Sequence, residues 1–434
     1  MRVSIPLIVD SPLEHNGDLL IFRKHLKLGT AVRLAVSIFL AGSLCCSAIT
    51  LEQALVLAAQ AHPQLQVGAA QIESAQAGIL TAKAYPNPEG AALAGGQTFR
   101  VPGNVSGFVQ SYILSQPLEL GALRPSRLAL AERGRDSSQL VLAEIRLALL
   151  SGVRRTWYES LRRREEIAIL TENLRLVEEL RQRIQVRVEV GEAGRLELLR
   201  AETEVVTARN AIARGRLSYL TTLSQLRAAI GLPPDADLNP EGALETPGPL
   251  APLETLRRET LDKHPVLALG RAEVRRAEAR LVYEKAQKRP QPSVIAQIDI
   301  PPDVPIYRFG VNVPLPFWNR REGPIAEAVA DIRLKQSITQ SRQLLLLSGL
   351  ETAYGRFQIA TQQLQAYQDG VVLEAEAALR GAELAYQLGE RGIVEVLDAQ
   401  RTLRTVRLDL LNAQFDRQAA LVDIDELRAV EPQK

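Results

Sequence analysis

The chain has little of several things that common protein classes need. Its 434 residues include two cysteines and one methionine, and the formal net charge is only +2. So small a charge provides no basic surface for phosphates, which argues against a nucleic-acid partner. Aromatic residues make up only 4% of the chain, a fraction typical of long helices with narrow packing seams rather than of a thick globular core.

The first 48 residues have the composition of an export signal. Basic residues from Arg23 to Arg33 precede a short apolar run over residues 34–41, and Cys46-Ser-Ala48 has small residues where a signal peptidase cleaves. The run is shorter than the roughly 20 residues that cross a bilayer, so a retained anchor is the weaker alternative. The sequence predicts a signal peptide over residues 1–48, with cleavage after Ala48.

The exported chain has almost no soft metal ligands. Cys45 and Cys46 both lie in the signal, so neither a disulfide nor thiolate chemistry is expected after export, and lipidation of either cysteine is the minor alternative. The exported chain keeps only His62 and His264, too few for a dedicated transition-metal site. Each histidine precedes a proline, where a turn or a helix cap is the expected role.

The rest of the chain repeats itself. Leu51-Glu-Gln leads to His62-Pro63 as Leu253-Glu-Thr leads to His264-Pro265, and Gly191-Glu-Ala-Gly matches Gly389-Glu-Arg-Gly. Matched landmarks in one order predict an internal two-fold repeat, with a first repeat over 49–240 and a second over 253–434. A Pro/Gly-rich linker is predicted over 241–252.

Each repeat is predicted to contain a helix, a β-hairpin, a long helix, a turn and a further helix. The hairpins are expected over 89–115 and 293–314, and the turns over 190–194 and 388–392. The long segments 126–188 and 325–388 lack proline and would each measure about 95 Å. The strands have about the length of a tilted membrane strand, at most 9–11 residues.

Four strands are too few to close a barrel. A membrane does not tolerate exposed sheet edges, so several copies must share one barrel if these strands span a membrane. The alternative is a pair of hairpins that cap a soluble helical bundle.

Together these features resemble the TolC-like outer-membrane efflux protein family across the whole exported chain. They resemble most the outer-membrane components of cobalt-zinc-cadmium type heavy-metal efflux systems. The motifs that carry the resemblance are Leu51-Glu-Gln-Ala-Leu55, His62-Pro63, Ala77-Gly-Ile-Leu80, Ala82-Lys-Ala-Tyr-Pro-Asn-Pro88, Ser115-Gln-Pro-Leu-Glu-Leu-Gly121, Pro314-Leu-Pro-Phe317, Gly389 and Val396-Leu-Asp-Ala-Gln-Arg401.

The resemblance implies a mainly α-helical chain with a small β part, assembled as a homotrimer. Four strands per protomer would form one outer-membrane β-barrel, continuous with a long periplasmic α-helical barrel. The implied partners are a periplasmic adaptor (membrane fusion) protein, an inner-membrane RND-type pump and the lipid of the outer membrane.

The resemblance also implies where such a duct closes. Family members close the periplasmic end with a tyrosine, an arginine and acidic residues around the second-repeat turn. The corresponding residues are Tyr386, Arg391, Glu395 and Asp398, with Glu197 in the first repeat. Family members can carry Asp where this chain has Glu197 and Glu395, so the reach of these side chains differs.

The residues themselves leave two interpretations of Glu395 and Asp398 open. Their i,i+3 spacing places both carboxylates on one helical face, so three copies could line a pore with six carboxylates. Alternatively, they complement the positive helix N-terminus or pair with Arg401.

The two turns are expected at the tip of the helical barrel, where related proteins meet adaptors. The residues predicted to contact an adaptor are Val190, Gly191, Glu192, Gly194, Leu388, Gly389, Glu390 and Gly392. Their glycines also have the pattern of plain helix caps, and both roles are compatible.

No nucleotide-binding loop, nucleophile elbow or zinc-protease motif is present, so no enzymatic activity, cofactor or metal site is predicted. The predicted function is a passive outer-membrane exit duct of a tripartite efflux system, with divalent heavy-metal cations as cargo. A drug-efflux or type I secretion duct is the alternative within transport. A periplasmic coiled-coil adaptor or scaffold is the alternative from another class.

Overall fold

A computed structural model of the chain describes residues 48–98, 105–244, 248 and 250–430. The predicted signal peptide lies outside the described residues except for Ala48, and so do the loop of the first hairpin at 100–104 and part of the predicted linker. The chain divides into two units. Only Ala48 and 237–239 are described in the smaller one, and the larger comprises 49–236 with 240–434.

Helices dominate the described chain, as predicted, and the β part is small. The elements in chain order are β1 (Ala48–Ile49), α1 (Leu51–Ala61), α2 (Pro63–Lys83), β2 (Glu89–Gln97), β3 (Gly107–Pro117), α3 (Leu123–Glu189), α4 (Arg195–Ile230), β4 (Asn239–Pro240), α5 (Leu253–Lys263), α6 (Pro265–Gln287), β5 (Ser293–Ile300), β6 (Ile306–Asn312), α7 (Glu322–Ala366), α8 (Val372–Gln387) and α9 (Ile393–Leu427).

The 67-residue helix α3 is the element against which five of the described helices pack. It contacts α1, α2, α4, α6 and α9. Buried residues recur every three or four positions in two stretches, over Val153, Trp157 and Leu161 and again from Leu170 to Ile184. This spacing places them on one stripe in each stretch of a helix about 100 Å long.

The matching segment of the second half is interrupted. A π-helical turn over Tyr367–Val371 separates α7 from α8, and Gly370 within it has φ 173° and ψ −32°. The prediction of one unbroken helix over 325–388 is therefore wrong at this point, because a π-helical turn holds more residues than an α-helical turn.

Both histidines cap helices, as predicted. Pro63 begins α2 and keeps His62 extended, so α1 ends there, and His62 Nδ1 accepts a hydrogen bond from the Gln64 N–H at 3.2 Å. His62 Nε2 lies 3.3 Å from the Ala228 carbonyl near the end of α4. His264 accepts from the Val266 N–H at 3.2 Å in the same way, and a hydrogen bond links it to the backbone of Glu426 near the end of α9.

The cap at His264 predicts a pH dependence of stability. Burial lowers the pKa of His264 below its ordinary 6.5, against a smaller opposing effect of the hydrogen bond with Glu426, and only the neutral ring can accept from Val266. A folded-state pKa below the unfolded value gives stability that is present above pH 6.5 and is lost as pH falls through the folded pKa. We expect the apparent Tm of the wild type to fall over this window.

A matched pair of variants isolates this effect. His264→Asn keeps a cap acceptor that does not titrate, so its melting temperature should lose this component of the pH dependence, while His264→Ala should cost about 1 kcal/mol at neutral pH. Circular-dichroism melts at several pH values measure both. Equal pH dependence in the wild type and His264→Asn would contradict the assignment.

The two hairpins form one antiparallel sheet in the order β2-β3-β5-β6. The pairing of β3 with β5, in which Tyr112 stands opposite Ile298, joins the hairpins. Three successive antiparallel pairings make the edge strands β2 and β6 run in opposite directions. No helix in the described ranges is long and apolar enough to cross a membrane.

The two faces of this sheet differ in chemistry. One face carries exposed large apolar side chains, with Phe309 84% exposed. The members of this apolar face are Phe108, Tyr112, Leu114, Val294, Ile298, Ile300, Tyr307, Phe309 and Val311. An antiparallel sheet in water normally packs its apolar face against a core, so this exposed face must be covered by something outside the protomer.

The opposite face carries a polar cluster around Asp299. Ser111 Oγ donates to Asp299 Oδ1 at 2.6 Å, and Gln297 Nε2 donates to the same oxygen at 2.8 Å. Arg308 Nη1 lies 2.7 Å from Asp299 Oδ2. Side chains from three neighbouring strands thus bind one carboxylate on this face.

Candidate functional site at the helix tips

Glycine ends the long helix of each half. Gly191 has φ +79° and Gly389 has φ +77°, values that favour glycine because it lacks a Cβ atom. In the first turn the Glu192 N–H donates to the Arg187 carbonyl at 2.8 Å, and the corresponding bond recurs at Glu390 in the second turn at 2.9 Å. Both turns are therefore Schellman caps, in agreement with the glycine-cap interpretation of these positions.

All eight residues predicted to contact an adaptor are exposed. Each turn presents one apolar residue, Val190 at 64% exposure and Leu388 at 74%, next to an acidic one, Glu192 or Glu390. The caps hold these side chains outward on a rigid backbone, and their role in binding an adaptor remains a prediction.

Two of the five predicted gate residues meet. Tyr386, in the last turn of α8, is 7% exposed, and its hydroxyl donates to Glu197 Oε2 at 2.8 Å in the first turn of α4. Burial and then the carboxylate of Glu197 raise the pKa of Tyr386 to about 12. The hydroxyl therefore stays protonated at neutral pH and keeps donating, which joins the second half of the chain to the first.

Arg187 also contacts Tyr386, although it is not among the residues predicted for this site. Its guanidinium carbon lies 4.8 Å from the centroid of the Tyr386 ring, and Nη1 donates to the Tyr386 carbonyl at 3.4 Å. Its Nε lies 3.6 Å from Glu192 Oε2 in the first turn. The only signal was a basic residue in the last turn of α3, where a cation complements any helix C-terminus.

The other three predicted gate residues, Arg391, Glu395 and Asp398, are exposed. The Arg391 side chain forms no hydrogen bond or ion pair with any residue that the structure describes. Glu395 lies in the first turn of α9, with Oε2 3.5 Å from the place of a Cβ atom at Gly392, where a carboxylate complements the helix N-terminus. Within the protomer, the structure does not bring these three residues to Tyr386.

A second polar link lies deeper along the same helices. Arg401 of α9 donates to the buried Glu204 of α4 at 2.5 Å, and Arg404 lies 3.7 Å from the same carboxylate. The bond with Glu204 is the largest cause that raises the pKa of Arg401, and Asp398 contributes less. Arg401 therefore pairs with Glu204 and not chiefly with Asp398.

A cleft of about 680 Å³ opens beside Tyr386 between α3 and α8. Its walls include Arg183, Arg187, Glu192 and Glu383, so both charge signs line it. No group of three or more His, Cys, Asp or Glu side chains in the described part of the chain is placed to hold a metal ion. The geometry at the tips is that of a set of contacts that hold helices together.

Comparison with known proteins identifies the family. The chain matches the family "Outer membrane efflux protein" over residues 54–232 and 307–429, which is more than half of its length. The cobalt-zinc-cadmium resistance protein CzcC of Cupriavidus metallidurans is 26% identical over 381 residues, which cover 87% of this chain and 90% of that protein. The pyoverdine export outer membrane protein OpmQ of Pseudomonas putida is 25% identical over 304 residues, 65% of this chain and 62% of that protein.

The fold has been seen before. The solved structure of the outer membrane channel CmeC of Campylobacter jejuni superposes with a TM-score of 0.74 at 15% identity, covering 87% of this chain and 85% of that one. On these matches the chain belongs to the outer membrane efflux protein family and is a protein of the outer membrane.

Proposed function

We propose that three copies of the chain form a passive exit duct, which a periplasmic adaptor and an inner-membrane RND-type pump open at its helical tips. The observation that carries this proposal is the sheet with two free edges and an exposed apolar face. Lipid is the occupant that suits such a face. The edges β2 and β6 run in opposite directions, so β6 of one copy can pair with β2 of the next and keep the antiparallel order.

The number of copies follows from the family resemblance and suits the sheet. Three copies of the four-stranded sheet give twelve strands, an even number within the range of bacterial barrels. The polar cluster around Asp299 then lines the interior, where water is present. The helices continue from the sheet into the periplasm and end at the capped turns.

The contacts at the tips would keep the duct closed at rest. Tyr386, Glu197 and Arg187 tie α8 to α4 and α3, and three copies would place three such clusters around the axis. Arg391, Glu395 and Asp398 are exposed in one protomer, so any part they play in closure requires a neighbouring copy. The chain has no motif for nucleotide hydrolysis, so the energy for opening comes from the partner.

Divalent heavy-metal cations are the proposed cargo. Support comes from the similarity to a cobalt-zinc-cadmium resistance protein along nearly the full length of both chains. The similarity to a pyoverdine exporter, over a smaller share of the chain, favours a second candidate, the export of a small organic molecule. Family membership disfavours the periplasmic scaffold.

Growth of a deletion strain tests the cargo. We expect the strain to become sensitive to cobalt, zinc and cadmium, and the wild-type chain to restore growth. If the strain is sensitive only to drugs, to detergents or to overproduction of a siderophore, the proposal of metal cargo is contradicted. The proposal that the chain forms an exit duct is not affected by that result. Gly191→Val with Gly389→Val is the control, because valine does not suit the positive φ of these two positions and should distort both tips. We expect this variant to be expressed and to fail to restore growth.

A further inference from the structure

The interval between two matched landmarks is one residue longer in the second long helical segment than in the first. Leu149-Leu-Ser-Gly152 in α3 matches Leu346-Leu-Ser-Gly349 in α7, with a separation of 197 positions. At the tips, Gly191 and Gly389 are separated by 198 positions. One extra residue has therefore entered the second segment between Gly349 and Gly389.

The π-helical turn lies within this interval. It spans Tyr367–Val371, while α3 runs through the matching stretch without interruption. A π-bulge is the form in which an α-helix absorbs a single additional residue while its flanks keep their register. One buried pair on each side of the turn follows these separations, since Val153 corresponds to Leu350 at a separation of 197, and Val177 corresponds to Ala375 at a separation of 198.

The bulge also divides the packing of its segment. No residue from 365 to 374 is buried, although Leu364 and Ala375 on either side are. Toward α7, Leu350, Ala353 and Phe357 pack in one apolar cluster. Toward the tip, Ala375, Leu379 and Tyr386 pack in a second cluster with Ile184 of α3 and its neighbours.

The neighbouring helix has no such break. α9 is continuous over 35 residues and contributes Ala420 and Ile424 to the first cluster and Val396 and Leu403 to the second. Of these two packed segments, both fully described, only α7–α8 has a break in its α-helical backbone. A stretch with few buried contacts and a disturbed hydrogen-bond ladder has low local stability.

We propose that the inserted residue makes the π-turn at Tyr367–Val371 a pivot, about which α8 and its tip swing away from α3 when the contacts of Tyr386 are released. This inference rests on the proposed gate, and it adds the place at which the helix bends. It assigns a conformational role to Gly370, which adopts the non-helical backbone of the turn.

Deletion of Gly370 is the direct test, because removing one residue should restore a continuous α-helix with both clusters in register. The background is the gate-released variant, Tyr386→Phe with Arg187→Gln. The full chain carries Cys45→Ser and Cys46→Ser, so that the only cysteines are the two that are introduced for spin labels at exposed sites, Glu189→Cys and Glu390→Cys. Labelled chain is diluted with unlabelled chain, so that distances within one chain dominate. Pulsed electron resonance then measures the distance between the two tips of one chain.

We expect release of the gate to populate a longer tip-to-tip distance. Deletion of Gly370 should reduce that population about tenfold, equivalent to about 1.4 kcal/mol added to opening. Equal populations with and without Gly370 would overturn the pivot. A deletion variant that does not fold would overturn it too, because an insertion must be removable.

Two controls keep the outcomes separate. Deletion of the half-buried Glu172, at the matching position of the uninterrupted α3, should rotate Val177 and Ile184 out of the core and prevent folding. A tolerated deletion there would contradict the difference in register between the two segments. Ion conductance of the same samples tests the proposed function, since a chain can bend at the pivot and conduct nothing.

Discussion

The variant Tyr386→Phe with Arg187→Gln is expected to conduct ions in a planar bilayer through a pore that is mostly closed in the wild type. The first change removes the donor to Glu197, and the second removes the cation from the Tyr386 ring and carbonyl. Hydrogen bonds to charged groups contribute about 1.5–3 kcal/mol each. Losing one per copy should raise the open population by at least about tenfold.

A neighbouring arginine supplies the matched control. Arg183 precedes Arg187 by about one turn of α3 and pairs with Glu179 at 3.8 Å, so Arg183→Gln should leave conductance unchanged.

Arg391→Gln tests which arginine acts with Tyr386, because the family motif points to Arg391 and the contacts within the protomer point to Arg187. We expect a double-mutant cycle on conductance to show stronger coupling of Tyr386 to Arg187 than to Arg391. Unchanged conductance in the Tyr386 and Arg187 variant would contradict the gate.

Phe309→Arg is expected to abolish assembly in the outer membrane. Phe309 lies on the apolar face of β6 and is 84% exposed. An arginine on a lipid-facing strand costs about 2–4 kcal/mol near the bilayer midplane, and three copies would carry this cost together. We expect no heat-resistant oligomer of the variant in the outer-membrane fraction.

The control for Phe309 lies three residues further along the same strand. Asn312 is exposed on the opposite face, so Asn312→Arg should assemble normally. If the sheet instead capped a soluble bundle, an arginine at the exposed Phe309 would be harmless. Equal assembly of the two variants would therefore contradict the membrane assignment of the apolar face.

The hairpins and helices followed from local signals. Alternation of Tyr307, Phe309 and Val311 predicted β6, and His62-Pro63 predicted a capped break, because side-chain period and proline act over a few residues. The π-turn was not foreseen from Gly370. Its cause is a one-residue difference between distant segments, which becomes visible only when internal landmarks on both sides of the turn are compared.

The site was only partly predictable. The family motif identified Tyr386 and Glu197, which meet at 2.8 Å, but it also placed Arg391 beside them. The arginine that contacts Tyr386 in the protomer is Arg187, from a helix 199 residues away in sequence. A single basic residue near a helix end has no distinctive pattern, so tertiary packing had to bring α3 and α8 together before its partner was evident.

A cross-link between strand edges tests most directly the claim that copies of the chain close one barrel. Ala92→Cys in β2 and Phe309→Cys in β6 lie at opposite edges of one sheet, two residues out of line with each other. At the usual strand spacing and rise they are about 16 Å apart, beyond the reach of a short bismaleimide. We expect a ladder of cross-linked products that ends at the trimer, while Ala92→Cys with Ile298→Cys in the inner strand β5 should give no products that join copies. Monomers alone from the edge pair in outer-membrane preparations would contradict the claim.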